Sequence, residues 1–171
     1  GKLSMACTMS LPDLELRLLD EASTPTTLST LSSGKPTVID FWTTRCQRCP
    51  AALTKLNEFA EEWCKGHQAV FLSICLDDEE FAKELVEEGE WEHMTHAFAP
   101  VASKDMAKSV FGFTSVPFYV VSSQDSEVLI AGSGQQVSIQ SLPGLLGPQK
   151  TNNHVREGEP AAPAFSLDED F

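Results

Sequence analysis

The chain has 171 residues, of which 42% are hydrophobic and 22% charged, with a formal net charge of −13. This length suits one buried domain with short extensions, and the composition is that of a soluble globular protein. The negative charge argues against nucleic acid or an anionic membrane as a partner, because both attract basic surfaces. No apolar run reaches the roughly 18 residues of a membrane span.

The two ends carry less pattern than the middle. Residues 1–12 lack a charged segment followed by an apolar run, so we expect a flexible N-terminus without a signal peptide. Residues 13–147 carry the patterns of a folded domain, and residues 148–171 predict a flexible acidic tail. Three apolar side chains near its end could form a short binding motif: Phe165, Leu167 and Phe171.

The first half of the domain predicts alternating strands and helices. Apolar and polar residues alternate over 13–18, which is typical of a half-buried strand. Residues 38–41 form an apolar run broken only by Asp40, which suits a central strand covered on both faces. Apolar residues then recur at helical spacing, namely Leu53, Leu56, Phe59, Ala60 and Trp63.

The second half continues this alternation. Residues 69–75 predict a buried strand, and residues 77–88 predict a helix with Phe81, Leu85 and Val86 facing inward. Three further segments predict a short helix, a pair of adjacent strands and a last helix, at 104–111, 118–121 with 128–131, and 138–146. The expected fold is therefore α/β, with a sheet that is parallel at first and ends in an antiparallel hairpin.

Cys46 and Cys49 form a Cys-x-x-Cys pair between the apolar strand and the first long helix. A strand that delivers a sulfur to a helix N-terminus suits a redox dithiol, because the helix dipole stabilises a thiolate. Arg45 and Arg48 flank the first sulfur and favour its ionised form further. We expect Cys46 to be the nucleophile and Cys49, one turn deeper, to be the resolving thiol.

Other interpretations of these residues stay open. The pair could belong to a zinc site with His93 and His96, although the separation is far wider than in a zinc finger, or it could be structural. Asp40 could be a buried general base that takes the proton of Cys49, or a strand-end residue bonded to backbone or water. We expect no cofactor and no metal.

The segment VIDFWTTRCQRCP at residues 38–50 resembles the active-site strand of the thioredoxin-like superfamily. The resemblance implies a thioredoxin-like fold, a central mixed sheet flanked by helices. It also implies that Pro117, in TSVPF, is the cis-proline that faces the dithiol in that family. Val116 and Pro117 would then hold the substrate backbone against Cys46, and Trp42 would shelter the site.

Two branches of the superfamily are the most similar. Residues 14–36 resemble the N-terminal hairpin extension of TlpA-like and redoxin proteins, and LSICLD at 72–77, with Trp91 beyond, resembles nucleoredoxin and tryparedoxin. This chain departs from thioredoxin at Arg45, where the family has Trp, at Gln47-Arg48, where it has Gly-Pro, and at Pro50. These departures leave the dithiol intact but affect the redox potential and the choice of partner.

The expected function is a thiol–disulfide oxidoreductase that reduces disulfides in protein substrates and contributes to cell redox homeostasis. Arg45 and Arg48 would contact substrate beside Val116, Pro117 and Trp42. We expect a monomer that receives electrons from an external thiol or flavoprotein reductant. The odd, scattered cysteines favour a cytoplasmic location, with Cys64 and Cys75 as small apolar residues and Cys7 free. The rival is a thioredoxin-fold binding or adaptor module with little turnover.

Overall fold

The computed structural model describes residues 8–66 and 68–147. Within these described residues, seven strands form one mixed sheet in the order β2-β1-β5-β4-β3-β6-β7. In chain order they are β1 (Glu15–Leu18), β2 (Pro25–Thr27), β3 (Thr37–Trp42), β4 (Val70–Cys75), β5 (Thr95–Phe98), β6 (Phe118–Ser122) and β7 (Val128–Ser133). The α/β fold with a mixed sheet, predicted from the sequence, is confirmed.

The centre of the sheet is β3, all six residues of which are buried. It runs parallel to β4, which is itself parallel to β5, and antiparallel to β6. A strand with neighbours on both sides and helices on both faces is shielded from solvent, which explains its continuous apolar sequence. The single charged residue in it, Asp40, is therefore placed in the interior of the protein.

In the part of the chain that the structure describes, five α-helices and a short 3₁₀ helix (Ile139–Ser141) cover the sheet. The α-helices are α1 (Leu28–Ser32), α2 (Cys49–Cys64), α3 (Glu79–Gly89), α4 (Val101–Phe111) and α5 (Leu142–Leu146). Buried residues of α2, α3 and α5 pack on one face of the sheet, and those of α1 and α4 pack on the other. None of these helices, in the part of the chain that the structure describes, is long and apolar enough to cross a bilayer.

Local sequence explains where the main helices begin and end. Pro50 lies in the first turn of α2, where its missing N–H leaves no hydrogen bond unmade. The Asp78 side chain caps α3 by accepting a hydrogen bond from the Phe81 backbone N–H. At the end of α4, Gly112 adopts φ +70°, a left-handed conformation that glycine reaches without steric cost.

Two details of the sequence prediction are wrong. Phe81 was expected to face the core but is 44% exposed, and Ala82 is the buried residue of α3 instead. Successive residues of a helix are about 100° apart, so the buried side of α3 is centred nearer Ala82 than the sequence pattern predicted. The strand β5 was also missed, since residues 95–98 are short and include His96.

The N-terminal hairpin extension is present as the antiparallel pair β1 and β2. Before it, the backbone N–H of Leu11 donates to Ser126, and the Met9 carbonyl accepts from Val128. Residues 8–12 of the predicted flexible N-terminus are thus bonded to the edge of β7. The predicted acidic tail with its apolar motif, and Cys7, lie outside the described residues, and the boundaries at 13 and 147 stay a prediction.

Candidate active site

Cys46 and Cys49 are joined by a disulfide at the carboxyl end of β3, with their Cα atoms 5.4 Å apart. Cys46 is partly exposed, whereas Cys49 is completely buried. The helix α2 begins at Cys49, so Cys46 lies in the turn that leads into the helix N-terminus. Its carbonyl accepts the Cys49 N–H at 3.3 Å, which ties the exposed sulfur to the helix start.

The Val116–Pro117 loop lies directly against the exposed sulfur. The peptide bond between these two residues is cis. The carbonyl oxygen of Val116 lies 3.6 Å from Cys46 Sγ. A substrate sulfur that approaches Cys46 therefore meets a backbone carbonyl beside its target, where an incoming extended chain could form a backbone hydrogen bond.

Asp40 lies between Val38 and Trp42 on the face of β3 that packs against α2. It is fully buried, and neither of its carboxyl oxygens has a hydrogen-bond partner among the described residues. Burial raises the pKa of this carboxyl well above its ordinary value of 3.8. A carboxyl in this state can exchange a proton at pH values where a surface carboxylate cannot.

A row of polar side chains crosses the sheet at the level of Asp40. On one side its register partner is Tyr119 of β6, and on the other side it is Ser73 of β4, which itself pairs with His96 of β5. Burial, and then the nearby charge of Asp40, raise the pKa of Tyr119. Sequence reasoning missed this row because it becomes visible only when the strand order is known.

The end of the row is a buried histidine with defined partners. His96 Nε2 lies 2.6 Å from the Trp91 carbonyl oxygen, so this nitrogen carries the proton and donates. The other ring nitrogen, Nδ1, then accepts from the Ser73 hydroxyl. Burial lowers the pKa of His96, although the bond to Trp91 opposes this change. The ring is therefore held in its neutral form by local hydrogen bonds and burial.

Trp42 has a different place from the one implied by the family resemblance. Its side chain is fully buried and meets Trp91 edge to face, with ring centroids 6.2 Å apart. A side chain with no exposed surface cannot contact substrate, so its expected role in substrate binding is corrected to packing beneath the site. Trp42 is the last residue of β3, a strand that is buried along its whole length.

The turn that carries Cys46 is anchored by Asp77, a residue that sequence reasoning did not single out. Its carboxylate accepts hydrogen bonds from the backbone N–H and the hydroxyl of Thr44, at 2.9 and 2.8 Å. Partial burial raises the pKa of Asp77, but these hydrogen bonds outweigh it and the net pKa is lowered. The sequence offered a signal for this contact. Asp77 follows the end of β4 and Thr44 follows the end of β3, and two neighbouring parallel strands end at the same edge of the sheet.

A groove of about 530 Å³ leads away from the disulfide. We call it the active-site groove: Arg48, Ala51, Ala52 and Lys55 of the α2 region form one wall, and residues 115–117 and 133–135 form the other. Val116 and Pro117 therefore lie both beside Cys46 and in this groove. Arg45 and Arg48 are exposed on either side of Cys46.

The remaining cysteines differ from one another. Cys75 is fully buried, and burial raises the pKa of its thiol to about 12, which makes it unreactive near neutral pH. Cys64 is exposed at the end of α2, contrary to the expected apolar environment. No group of three potential metal ligands exists within residues 8–66 and 68–147. The zinc alternative also lacks ligands, because the Cys46–Cys49 sulfurs are bonded to each other and both ring nitrogens of His96 have protein partners.

A mixed sheet with a strand–Cys-x-x-Cys–helix unit and a facing cis-proline loop defines a thioredoxin-fold protein of the thiol–disulfide oxidoreductase class. The AhpC/TSA family model matches residues 8–130, so the chain belongs to that family. No curated protein sequence matches it.

Solved structures of similar fold come from several bacteria. A thiol-disulfide oxidoreductase from Bacteroides fragilis is 16% identical, with TM-score 0.64 over 80% of this chain and 96% of that one. The thioredoxin domain of a thiol-disulfide oxidoreductase from Bacteroides vulgatus is 16% identical, with TM-score 0.63 over 75% and 89%. A secreted disulfide oxidoreductase from Mycobacterium tuberculosis is 19% identical, with TM-score 0.59 over 78% and 93%. At these identities the likeness concerns the fold.

Proposed function

We propose that the protein reduces disulfides in protein substrates by thiol–disulfide exchange at Cys46 and Cys49. The observation that carries the proposal is the asymmetry of the pair, in which Cys46 is partly exposed beside the Val116 carbonyl and Cys49 is buried. An exchange enzyme needs one sulfur that substrate can reach and a second that only the first can reach.

In the reductive direction the Cys46 thiolate attacks a substrate disulfide. The substrate S–S bond breaks, one of its sulfurs joins Cys46 in a mixed disulfide, and the other leaves as a thiolate that takes up a proton. Arg45 and Arg48 support the thiolate form of Cys46 by their positive charge. Val116 and Pro117 position the substrate backbone beside the reacting sulfurs.

The buried cysteine then completes the exchange. Asp40 takes the proton of the Cys49 thiol, and the resulting thiolate attacks the Cys46 sulfur of the mixed disulfide. The Cys46–Cys49 disulfide forms, and the second substrate sulfur leaves as a thiolate. Support for Asp40 in this role comes from its complete burial, its place under α2 and its raised pKa.

The cycle closes when an external thiol or flavoprotein reductant returns two electrons to the Cys46–Cys49 disulfide. We infer a monomer that works in a reducing compartment such as the cytoplasm. Two cysteines without a disulfide partner among the described residues, Cys64 and Cys75, support that compartment.

The test is reduction of insulin with dithiothreitol as electron donor. Cys46→Ser is expected to abolish catalysis, because the attacking sulfur is lost, and Cys49→Ser is expected to accumulate mixed disulfides that a gel shift detects. Cys64→Ser is the matched control, since it removes an exposed thiol far along α2 and should leave the rate unchanged. Full activity in Cys46→Ser would refute the proposal, whereas little turnover by the unsubstituted protein would favour the binding-module alternative.

A further inference from the structure

The active-site groove has a charge opposite to that of the protein. The chain has 25 acidic and 12 basic residues, so a surface of average composition would carry two acidic side chains for each basic one. The ten residues that line the groove include Arg48 and Lys55 and no acidic residue. Arg45, also exposed, extends this positive charge to the other side of Cys46.

The position of this charge relative to the chemistry is defined. Arg48 immediately precedes Cys49, and Lys55 lies on the same side of α2 as the groove, about two turns further along. The opposite wall begins at Val116, whose carbonyl oxygen is 3.6 Å from Cys46 Sγ. A peptide with its cysteine at Cys46 would therefore direct its neighbouring side chains past Arg48 and toward Lys55.

We propose that the active-site groove selects disulfide substrates with acidic side chains within a few residues of the reacting cysteine. This inference rests on the proposed function and specifies its substrate class. Neutral walls at Ser115, Ser133 and Gln135 leave Arg48 and Lys55 as the charged contacts of the groove. The rest of the protein, with its net negative charge, repels an acidic peptide from other surfaces, which directs its encounter toward this one.

The selectivity can be measured without turnover. Three peptides of equal length are prepared in which the cysteine, flanked by acidic, neutral or basic residues, is joined to thionitrobenzoate in a mixed disulfide. The Cys46 thiolate attacks the peptide sulfur, the peptide–Cys46 disulfide forms, and thionitrobenzoate leaves as a coloured thiolate. The protein is the full chain with serine replacing Cys7, Cys49 and Cys64, so that Cys46 is the accessible thiol.

We expect the acidic peptide to react about three- to tenfold faster than the neutral one, and the basic peptide more slowly still. Arg48→Glu should abolish or reverse this ratio. The ratio, unlike the absolute rate, is unaffected by any change that Arg48→Glu causes in the reactivity of Cys46. The preference should shrink in about 1 M salt, where the screening length is about 3 Å.

Lys108→Glu is the matched control, because it makes the same charge change on an exposed residue of α4, on the other side of the sheet. Equal rates for the three peptides, or an equal change of the ratio in Lys108→Glu, would overturn the proposal. Because the mixed-disulfide reaction needs only the Cys46 thiol, this result is separate from insulin reduction. Failure of insulin reduction with a retained acidic preference would refute the proposed function and leave the groove's selectivity standing.

Discussion

The central strand β3 has two faces of opposite character. Toward α1 and α4, Ile39 and Phe41 pack into a cluster of hydrophobic side chains. Toward α2, Asp40 stands between Val38 and Trp42 and lacks a hydrogen-bond partner among the described residues. The apolar face stabilises the fold, whereas a buried carboxyl without hydrogen-bond partners is costly to folding, as expected of a residue that serves the proposed chemistry.

The largest effect is expected on the apolar face. Phe41→Ala removes a ring that stacks on Phe113 at 5.4 Å and contacts Phe111 at 6.0 Å. The free energy of unfolding should fall by about 3–5 kcal/mol, measured by urea denaturation. The pH dependence of Cys46 alkylation should not change. A shifted pH profile would show that the two faces are not independent.

A substitution on the polar face should raise the stability of the protein instead of lowering it. Asp40→Asn is expected to stabilise the protein above neutral pH by about 1–3 kcal/mol, because a buried ionised carboxylate without partners is costly. Burial raises the folded-state pKa above the unfolded value. The contribution of Asp40 to the free energy of unfolding is therefore fully present at pH values below about 4 and is lost as the pH rises through the folded-state pKa.

Denaturation curves at pH 4 and pH 8 measure how much of the free energy of unfolding is lost between these pH values. Asp40→Asn should reduce this loss. The same variant should resolve mixed disulfides about 10²-fold more slowly, because Cys49 loses its base. Equal stability gains at both pH values would argue that the pKa of Asp40 is not raised in the folded protein. Ile39→Val, on the neighbouring apolar position, is the control for a general effect of changing β3.

The packing of the polar face can be tested through Gly89. A Cβ atom at this position would lie 2.4–2.7 Å from ring atoms of Trp91, which is buried against Trp42. Gly89→Ala should therefore cost about 1–3 kcal/mol, in spite of the higher helix propensity of alanine. Thermal denaturation measures the cost. Gly144→Ala, where a Cβ meets nothing within 4 Å, is the matched control.

The smallest effect is expected at Asp77, which holds the turn before Cys46. Asp77→Ala removes the acceptor of two hydrogen bonds from Thr44 and should cost about 1–2 kcal/mol. The lowered pKa of Asp77 means that its contribution is present above the unfolded pKa and is lost as the pH falls through the folded value. The cost should thus be larger at pH 7 than at pH 2, as urea titrations at both pH values would show. An equal cost would assign the effect to packing alone.

Much of the fold could be predicted from local pattern. The apolar run at 38–41, the cysteine pair and the helical spacing after it are close in sequence, and each is determined by the period of the element that it forms. The short strand β5 and the exposure of Phe81 could not be predicted. Both depend on how a weakly patterned segment packs against a neighbour that is distant in the chain.

The candidate site divides in the same way. The order strand, Cys-x-x-Cys, helix is a local property, so the sequence alone determined the dithiol and the place of Asp40 in an apolar strand. The register of Asp40 with Tyr119 and Ser73, the 3.6 Å approach of Val116 to Cys46 and the burial of Trp42 were decided by the tertiary structure. These contacts join residues 33 to 79 positions apart, and backbone pairing between strands, which no local period encodes, sets them.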